Sequence, residues 1–357
     1  MRNTSDTIDV LIIDDSAPTR DGLRAILEVD PGIRVVGEAA DPFVARKLLD
    51  TINPDVITLD LLMPRMDGLT FLHKVMAGRP MPVVVVSNLT QEDANLCLEA
   101  LEIGAVGVLS KVTIPHPRLL ESFGRELIDL VRAAAISRIG RKRRGRRIVA
   151  ASVVRGTPGR GGYLPVMIGA STGGTEAIQE ILSCLPEEAP PIVVVQHMPK
   201  GFTRSFAERL HESTRLTVRE AEDRDRLRPG EVLVAPGHAH LEVTGRPGHA
   251  RVAVVDRPKV NHHRPSVDVL FQSAARRLGS EAVGILLTGM GSDGAVGLKA
   301  MADAGAATIG QDRESCVVYG MPAVAAKLGA CQQVLSLDAI PEALLKAAAG
   351  RTKGAAS

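Results

Sequence analysis

The chain has 357 residues, 45% hydrophobic and 24% charged, with a formal net charge of +2. That length suits two or three domains with substantial cores, and the near-balanced charge excludes a general attraction to nucleic acid or to acidic membrane surfaces. Aromatic residues make up only 2% and tryptophan is absent, which argues against stacking on bases or sugars. Cys97, Cys184, Cys316 and Cys331 show no paired spacing and read as small apolar residues in a reducing compartment. A polar start without a signal-peptide pattern, and the lack of any apolar run near the roughly 20 residues that span a bilayer, predict a cytoplasmic protein with no direct membrane insertion.

From Ile8 to Lys111 short apolar runs alternate with helical patterns, the βα alternation of a parallel sheet. Strands are predicted at Asp9 to Ile13, Arg34 to Gly37, Val56 to Leu59, Val83 to Val86 and Val106 to Leu109. Polar residues follow their C-terminal ends: Asp14 and Asp15, Asp60, Ser87, and Lys111. Three carboxylates at one sheet edge repel one another unless a divalent cation is present, and an all-oxygen donor set points to Mg²⁺. A hydroxyl and a lysine beside them suit an anion bound to that metal.

Apolar residues at helical spacing over Arg118 to Arg138 predict a helix that closes this first unit. The dense basic run Arg138 to Arg147 and a Gly/Pro-containing stretch up to Gly162 follow. Like charges in such a run repel and cannot pack, so it reads as an extended linker. The other reading is a patch for nucleic acid or an acidic partner, although no aromatic residues are interleaved with it.

Past the linker, the run Pro165 to Gly174 places Gly169-x-Ser171-x-Gly173 at the end of an apolar strand. A serine on such a turn holds its hydroxyl above the sheet edge, with backbone N–H groups beside it to receive an oxyanion. The same loop has the glycine spacing of a phosphate cradle, but Thr175 stands where the lysine is needed. A serine needs a base and an orienting carboxylate. His197 follows the run Ile192 to Gln196, and Asp293 lies in the Gly-rich segment after Leu286. Both follow buried-strand patterns, so a doubly wound sheet would bring Ser171, His197 and Asp293 to one crevice where strand order reverses. Taken singly, His197 reads also as a structural histidine and Asp293 as a turn residue, but their joint placement disfavours those readings. His238, His240, His262 and His263 fit no zinc spacing and are expected to line the cleft or lie on the surface.

The first unit resembles the receiver domain of bacterial response regulators, through Asp14-Asp15, the segment Leu59 to Gly68, Ser87 and Lys111. The resemblance implies that Asp60 is phosphorylated, that Asp15 and Asp60 hold Mg²⁺ with the Leu62 carbonyl beside Asp14, that Lys111 pairs with the phosphoryl group and that Ser87 is the switch hydroxyl. Val108 stands where the family commonly has a switch aromatic, and Val112 where proline commonly follows the lysine.

The second unit resembles the catalytic domain of the chemotaxis protein-glutamate methylesterases, the CheB family. The matching segments are Ile168 to Gly174, Val195 to Pro199 with Gly201 to Phe206, Val234 to Gly237, Arg264 to Asp268, Leu287 to Gly294, and Gln311 to Pro322. Thr175 departs from the proline common there. The resemblance implies a hydrolase that demethylates glutamate γ-methyl esters, and deamidates some glutamines, on chemoreceptor cytoplasmic domains, with a chemotaxis histidine kinase as phosphodonor. It also implies Ser171, His197 and Asp293 as the triad and the Met290 N–H as an oxyanion donor, joined by the Thr172 region. Arg264 becomes a candidate substrate contact, no metal is needed for the esterase step, and the unphosphorylated receiver is expected to restrain the enzyme.

The expected architecture is therefore α/β: two doubly wound parallel-sheet domains, a flavodoxin-like receiver over residues 1–125 and a Rossmann-like catalytic domain over 163–350, joined through a helix end and basic linker at 126–162, in a monomer. A transcriptional regulator is the alternative from another class, but its output domain would be short and helical with a basic recognition helix. A docking protein with an inert Ser171 is a third reading.

Overall fold

The structure, a computed structural model, describes residues 7–63, 66–88, 93–111, 117–137 and 162–349. The basic run 138–147 and the stretch up to residue 161 lie outside the described residues, as does Val112. The chain divides into two compact units between Arg144 and Gly145. Among the described residues no helix is long and apolar enough to cross a membrane.

The first unit is a five-stranded parallel sheet in the order β2-β1-β3-β4-β5. Its strands are β1 (Ile8–Ile13), β2 (Ile33–Ala39), β3 (Val56–Leu59), β4 (Val83–Ser87) and β5 (Gly107–Ser110). Each is rich in β-branched residues, which suit a strand buried on both faces. The sequence boundaries hold to within two residues, with β2 longer at its end and β5 one residue later than expected. Helices α1 (Ala17–Leu27) and α5 (Pro117–Ile136) pack against each other, with Leu23, Leu27, Leu127 and Val131 meeting Val10, Ile12, Val84 and Val86 of the sheet. The remaining helices are α2 (Pro42–Leu49), α3 (Gly68–Gly78) and α4 (Asp93–Ile103). Side chains close the helix starts: Asp67 accepts from Thr70 N at 2.7 Å, and Asp41 from the N–H groups of Phe43 and Val44.

The second unit holds a seven-stranded parallel sheet. Its strands are β6 (Val166–Ala170), β7 (Ile192–Gln196), β8 (Thr217–Glu220), β9 (Glu231–Val234), β12 (Val283–Leu286), β13 (Ala307–Gln311) and β14 (Gln333–Leu335), in the order β14-β13-β12-β6-β7-β9-β8. The chain builds outward from β6 first to one side and then to the other, so the strand order reverses between β6 and β12. An antiparallel pair that the sequence patterns did not disclose, β10 (His240–Thr244) with β11 (Arg251–Val255), stands apart from this sheet. It packs on helix α8 (Val267–Leu278), to which Val243 N is tied through Ser273 Oγ at 2.8 Å. Helices α6 (Gly174–Ser183), α7 (Phe202–Ser213), α9 (Ala295–Asp303), α10 (Met321–Lys327) and α11 (Ile340–Ala348) complete the unit.

Helix α8 comes unusually close to β6. A Cβ added at Gly169 would lie 2.2 Å from Val267 Cγ1 and 3.2 Å from Leu286 Cδ1, so only glycine admits the helix at this depth. Both contact residues are fully buried and have little room to shift. Gly169→Ala should therefore cost about 1–3 kcal/mol, read as a lower urea midpoint, and should lower esterase activity as the start of α8 is pushed outward.

Candidate functional site

Ser171 and His197 are the first residues after two paired strands. Ala170 stands opposite Gln196, and His197 N donates to Ala170 O at 3.1 Å. The loop that carries Ser171 is held from both sides. Ser171 N donates to Thr288 O at 3.0 Å, Gln196 Nε2 donates to Ser171 O at 2.9 Å, and Thr288 Oγ1 donates to Thr172 O at 2.9 Å. Gly173 takes a left-handed φ of 74° to turn the chain into α6.

Asp293 arrives from the loop that follows β12. Its carboxylate is buried and accepts from five donors: His197 Nε2 at 2.8 Å, Ser266 Oγ at 2.7 Å, Val267 N at 2.7 Å, Asn261 Nδ2 at 2.8 Å and Asp268 N at 3.3 Å. Two of these are orphan N–H groups at the start of α8, where the helix dipole also favours a negative charge. Burial alone would raise the Asp293 carboxyl, but the hydrogen bonds from His197, Asn261 and Ser266 outweigh it and hold the group well below the ordinary carboxylate range.

An ionised carboxylate only accepts, so His197 Nε2 carries the ring proton and Nδ1 keeps its lone pair. Nδ1 is buried without a hydrogen-bond partner among the described residues. The carboxylate thus takes Nε2 and leaves Nδ1 as the accepting nitrogen, the reverse of the serine-protease template, in which the carboxylate takes Nδ1. Ser171 Oγ is not hydrogen-bonded to His197 in this structure, a looseness common in free enzymes.

The segment carrying Met290 runs directly beside the nucleophile: a Cβ at Gly289 would lie 2.7 Å from Ser171 Cβ. Ser171's own N–H is engaged by Thr288 O; the oxyanion candidates remain those that the resemblance and the loop offered, at Met290 and near Thr172.

Several residues around the triad were not legible in the sequence. Gln196, Asn261, Ser266 and Thr288 act only through contacts across the chain. His263 stacks on His197 with ring centroids 3.7 Å apart and planes 11° apart. His240 is wholly buried, taking Ser266 N on Nδ1 and bonding Pro258 O through Nε2. Arg264 pairs with Asp256 at 2.6 Å.

In the first unit, Asp14 and Asp60 emerge from adjacent strands whose last residues, Ile13 and Leu59, are in register. Lys111 Nζ lies 2.6 Å from Asp60 Oδ2 and 2.8 Å from Asp14 Oδ2, and Ser87 Oγ donates to Asp60 Oδ1 at 2.9 Å. Burial raises the Asp14 carboxyl despite the lysine. Burial opposes the Lys111 ammonium, yet its ion pairs with Asp14 and Asp60 carry it above its ordinary value. Ligand atoms of Asp14, Asp15 and Asp60 lie within 4.8 Å of one another, the one such cluster among the described residues. Asp14 Oδ2 has no partner of hydrogen-bond geometry despite its ion pair. An all-carboxylate set with an under-satisfied oxygen fits a hard divalent cation. A cleft lined by Asp15, Ser16, Asp60, Leu62, Asn88 and Lys111 opens on it. Gly68 seals the loop from below, where a Cβ would meet Asp60 O at 2.4 Å.

A family model described as CheB methylesterase matches residues 166–344, and one described as response regulator receiver domain matches residues 10–122. A protein-glutamate methylesterase/protein-glutamine glutaminase of Pseudomonas aeruginosa is 47% identical over 97% of this chain and 99% of its own length. The chain belongs to the CheB methylesterase family. A relative from Geobacter metallireducens with the same activity in its name is 46% identical, covering 95% of this chain and 98% of its own. Among solved structures, the CheB methylesterase catalytic domain of Thermotoga maritima aligns with a TM-score of 0.50 and 42% identity, over 52% of this chain and 98% of that one. The chain is thus a carboxylic ester hydrolase of the protein-glutamate methylesterase/glutaminase type with an attached receiver domain. The short helical output domain required of a transcriptional regulator is replaced by a seven-stranded sheet.

Asp293→Asn would offer an amide N–H₂ to groups that themselves donate, at a cost of about 1–3 kcal/mol at neutral pH. Because the folded carboxyl is depressed, its contribution is complete above the unfolded value of about 4 and is lost as pH falls through the folded one. The stability gap between wild type and variant in urea should therefore be constant from pH 7 to about 4 and narrow below that.

Proposed function

We propose that this methylesterase demethylates glutamate γ-methyl esters, and deamidates glutamines, on the cytoplasmic domains of chemoreceptors, with Ser171 as nucleophile, His197 as base and Asp293 as orienting carboxylate. The observation that carries the reading is the His197–Asp293 pair, whose unpartnered Nδ1 sits at a strand end beside that of Ser171. Ser171 Oγ attacks the ester carbonyl and its proton passes to His197 Nδ1. Asp293 stabilises the imidazolium that results, and the N–H groups of Thr172 and Met290 take the oxyanion. Collapse expels methoxide, which recovers the proton from Nδ1 as methanol. Water then attacks the γ-glutamyl-serine ester with His197 as base, releasing the free glutamate and restoring Ser171. With glutamine, ammonia leaves in place of methanol. The reaction needs no metal.

Phosphorylation of Asp60 by a chemotaxis histidine kinase regulates this activity in our reading, in a monomeric cytoplasmic protein whose receiver (1–125) and catalytic domain (163–350) flank the basic linker. Asp60 supplies the attacking oxygen. Lys111 and Ser87, now bonded to its two oxygens, are placed to follow the phosphoryl group. Mg²⁺ held by Asp14, Asp15 and Asp60 with the Leu62 carbonyl would neutralise charge on the incoming phosphoryl oxygens. Val108 offers no aromatic rotamer to report the change, so switching rests on the Lys111 and Ser87 contacts.

Methanol release from methylated receptor membranes tests the triad. Ser171→Ala or His197→Ala should lose about 10⁶-fold in turnover and Asp293→Ala about 10⁴-fold; more than a few per cent of wild-type release by a folded Ser171→Ala protein would overturn the nucleophile assignment. Asp60→Asn removes the attacking oxygen, so labelling by a small phosphodonor with Mg²⁺ should vanish and the esterase rate of the variant should be indifferent to phosphodonor. Persistent label on Asp60→Asn would move the site to another residue.

A further inference from the structure

His263 has no part in the chemistry just described, yet its ring packs directly against that of the base. Its ring lies face to face with that of His197, 3.7 Å between centroids and 11° between planes. Stacked in this way the two rings direct their nitrogens sideways, so His263 neither donates to nor accepts from His197.

The backbone that delivers this ring is tightly specified. Val260 N donates to His263 O at 3.0 Å and His263 N to Val260 O at 2.9 Å, closing a two-residue hairpin turn. The residues between, Asn261 and His262, have φ of 52° and 68°, the left-handed pair of a type I′ turn, where asparagine is favoured at the first position. The side chain of Asn261 then fastens the turn to the site, with Nδ2 2.7 Å from Asp268 Oδ2 and 2.8 Å from Asp293 Oδ1. One turn therefore grips the triad carboxylate with one residue and covers the imidazole with another.

A single hydrogen bond explains why the base needs such cover. The bond from Nε2 to Asp293 fixes one point of the His197 ring, but leaves the ring free to roll about that point. The χ2 torsion of histidine is broad and supplies little restraint. Nδ1, on the far side of the ring, would sweep furthest. A flat neighbour in van der Waals contact across the ring face removes that roll.

The geometry points to His263 as a positioning residue for the catalytic base: its ring sets the plane of His197 so that Nδ1 is held toward Ser171 while Nε2 stays on Asp293. This inference rests on the Ser171–His197–Asp293 reading. Burial, followed by the neighbouring His197, pushes the His263 imidazole down to about 3, so at neutral pH it stacks uncharged and does not oppose the imidazolium formed when Ser171 gives up its proton. What the role demands is a flat uncharged ring, which phenylalanine also provides.

The experiment compares His263→Ala, His263→Leu and His263→Phe in the full chain, using methanol release from methylated receptor membranes, labelling by a serine-reactive fluorophosphonate, and the low-field proton resonance of the His197 Nε2–H, assigned by its absence from His197→Gln. Displacing a catalytic group by about 1 Å costs about 100-fold. The Ala and Leu variants should therefore lose about 100-fold in kcat with KM unchanged, label more slowly, and broaden the Nε2–H resonance, while the Phe variant recovers most of the rate and keeps the resonance sharp. Leu keeps bulk without a flat face, so it carries the test if Ala unfolds. Wild-type kcat in the Leu variant would overturn the proposal, and so would a Phe variant as slow as Leu, since a ring nitrogen would then be required. Absence of fluorophosphonate labelling in the wild-type protein would bring down the triad reading and this inference together; labelling that is present but unaltered by all three substitutions would bring down this inference alone.

Discussion

A carboxylate buried in the catalytic unit organises everything around it. An ionised Asp in the protein interior costs several kcal/mol unless its lone pairs are met by donors. Asp293 meets five of them, drawn from the end of β7, the turn at 260–263, Ser266 and the first N–H groups of α8. Each donor must come to the carboxylate because the carboxylate cannot reach water. The start of α8 is therefore fixed against β6, which explains a glycine at 169 whose Cβ would strike Val267. The imidazole tautomer follows from the same constraint, since an acceptor-only partner leaves the ring proton one place to be.

Asp268 shows how far this arrangement extends. It is raised by burial and by the nearby charge of Asp293, with Gly297 N at 2.6 Å on one oxygen and Asn261 on the other. Two carboxylates thus share Asn261 as their common donor, one depressed and one raised. Through Gly297 N the start of α9 is tied to the same cluster.

The receiver unit handles its carboxylates differently. Asp14 and Asp60 emerge side by side because their strands pair in register, and their repulsion is met by the Lys111 ammonium between them. That leaves a partly satisfied acidic edge open to a cleft, a donor set that fits a hard divalent cation. The catalytic unit, by contrast, satisfies its carboxylate completely and permanently. The two units thus hold the same kind of side chain at opposite degrees of satisfaction.

What the sequence determined by itself was what depends on local periodicity and on strand ends. β-branched runs bounded by Gly and Pro located the five strands of the receiver unit and β6, β7 and β12 of the catalytic unit, though not β8, β9, β13 or β14. Asp14, Asp60, Ser87, Lys111, Ser171 and His197, which follow the located strands, were legible because a parallel sheet delivers every strand end to one edge. Asp293 could be read from its Gly-rich segment, although it lies well beyond the end of β12. The tertiary structure alone decided which nitrogen of His197 faces Asp293, that Ser171's N–H is engaged by Thr288, and that Asn261 and His263 belong to the site. It alone disclosed the β10–β11 pair as well. A side chain that acts by touching another across the fold leaves no periodic trace in its own segment. His262 and His263 read in the sequence only as residues that line the cleft or lie on the surface; the left-handed turn at 261–262 is what lays the His263 ring on His197, and a ring stack is a property of two segments brought together, not of either one alone.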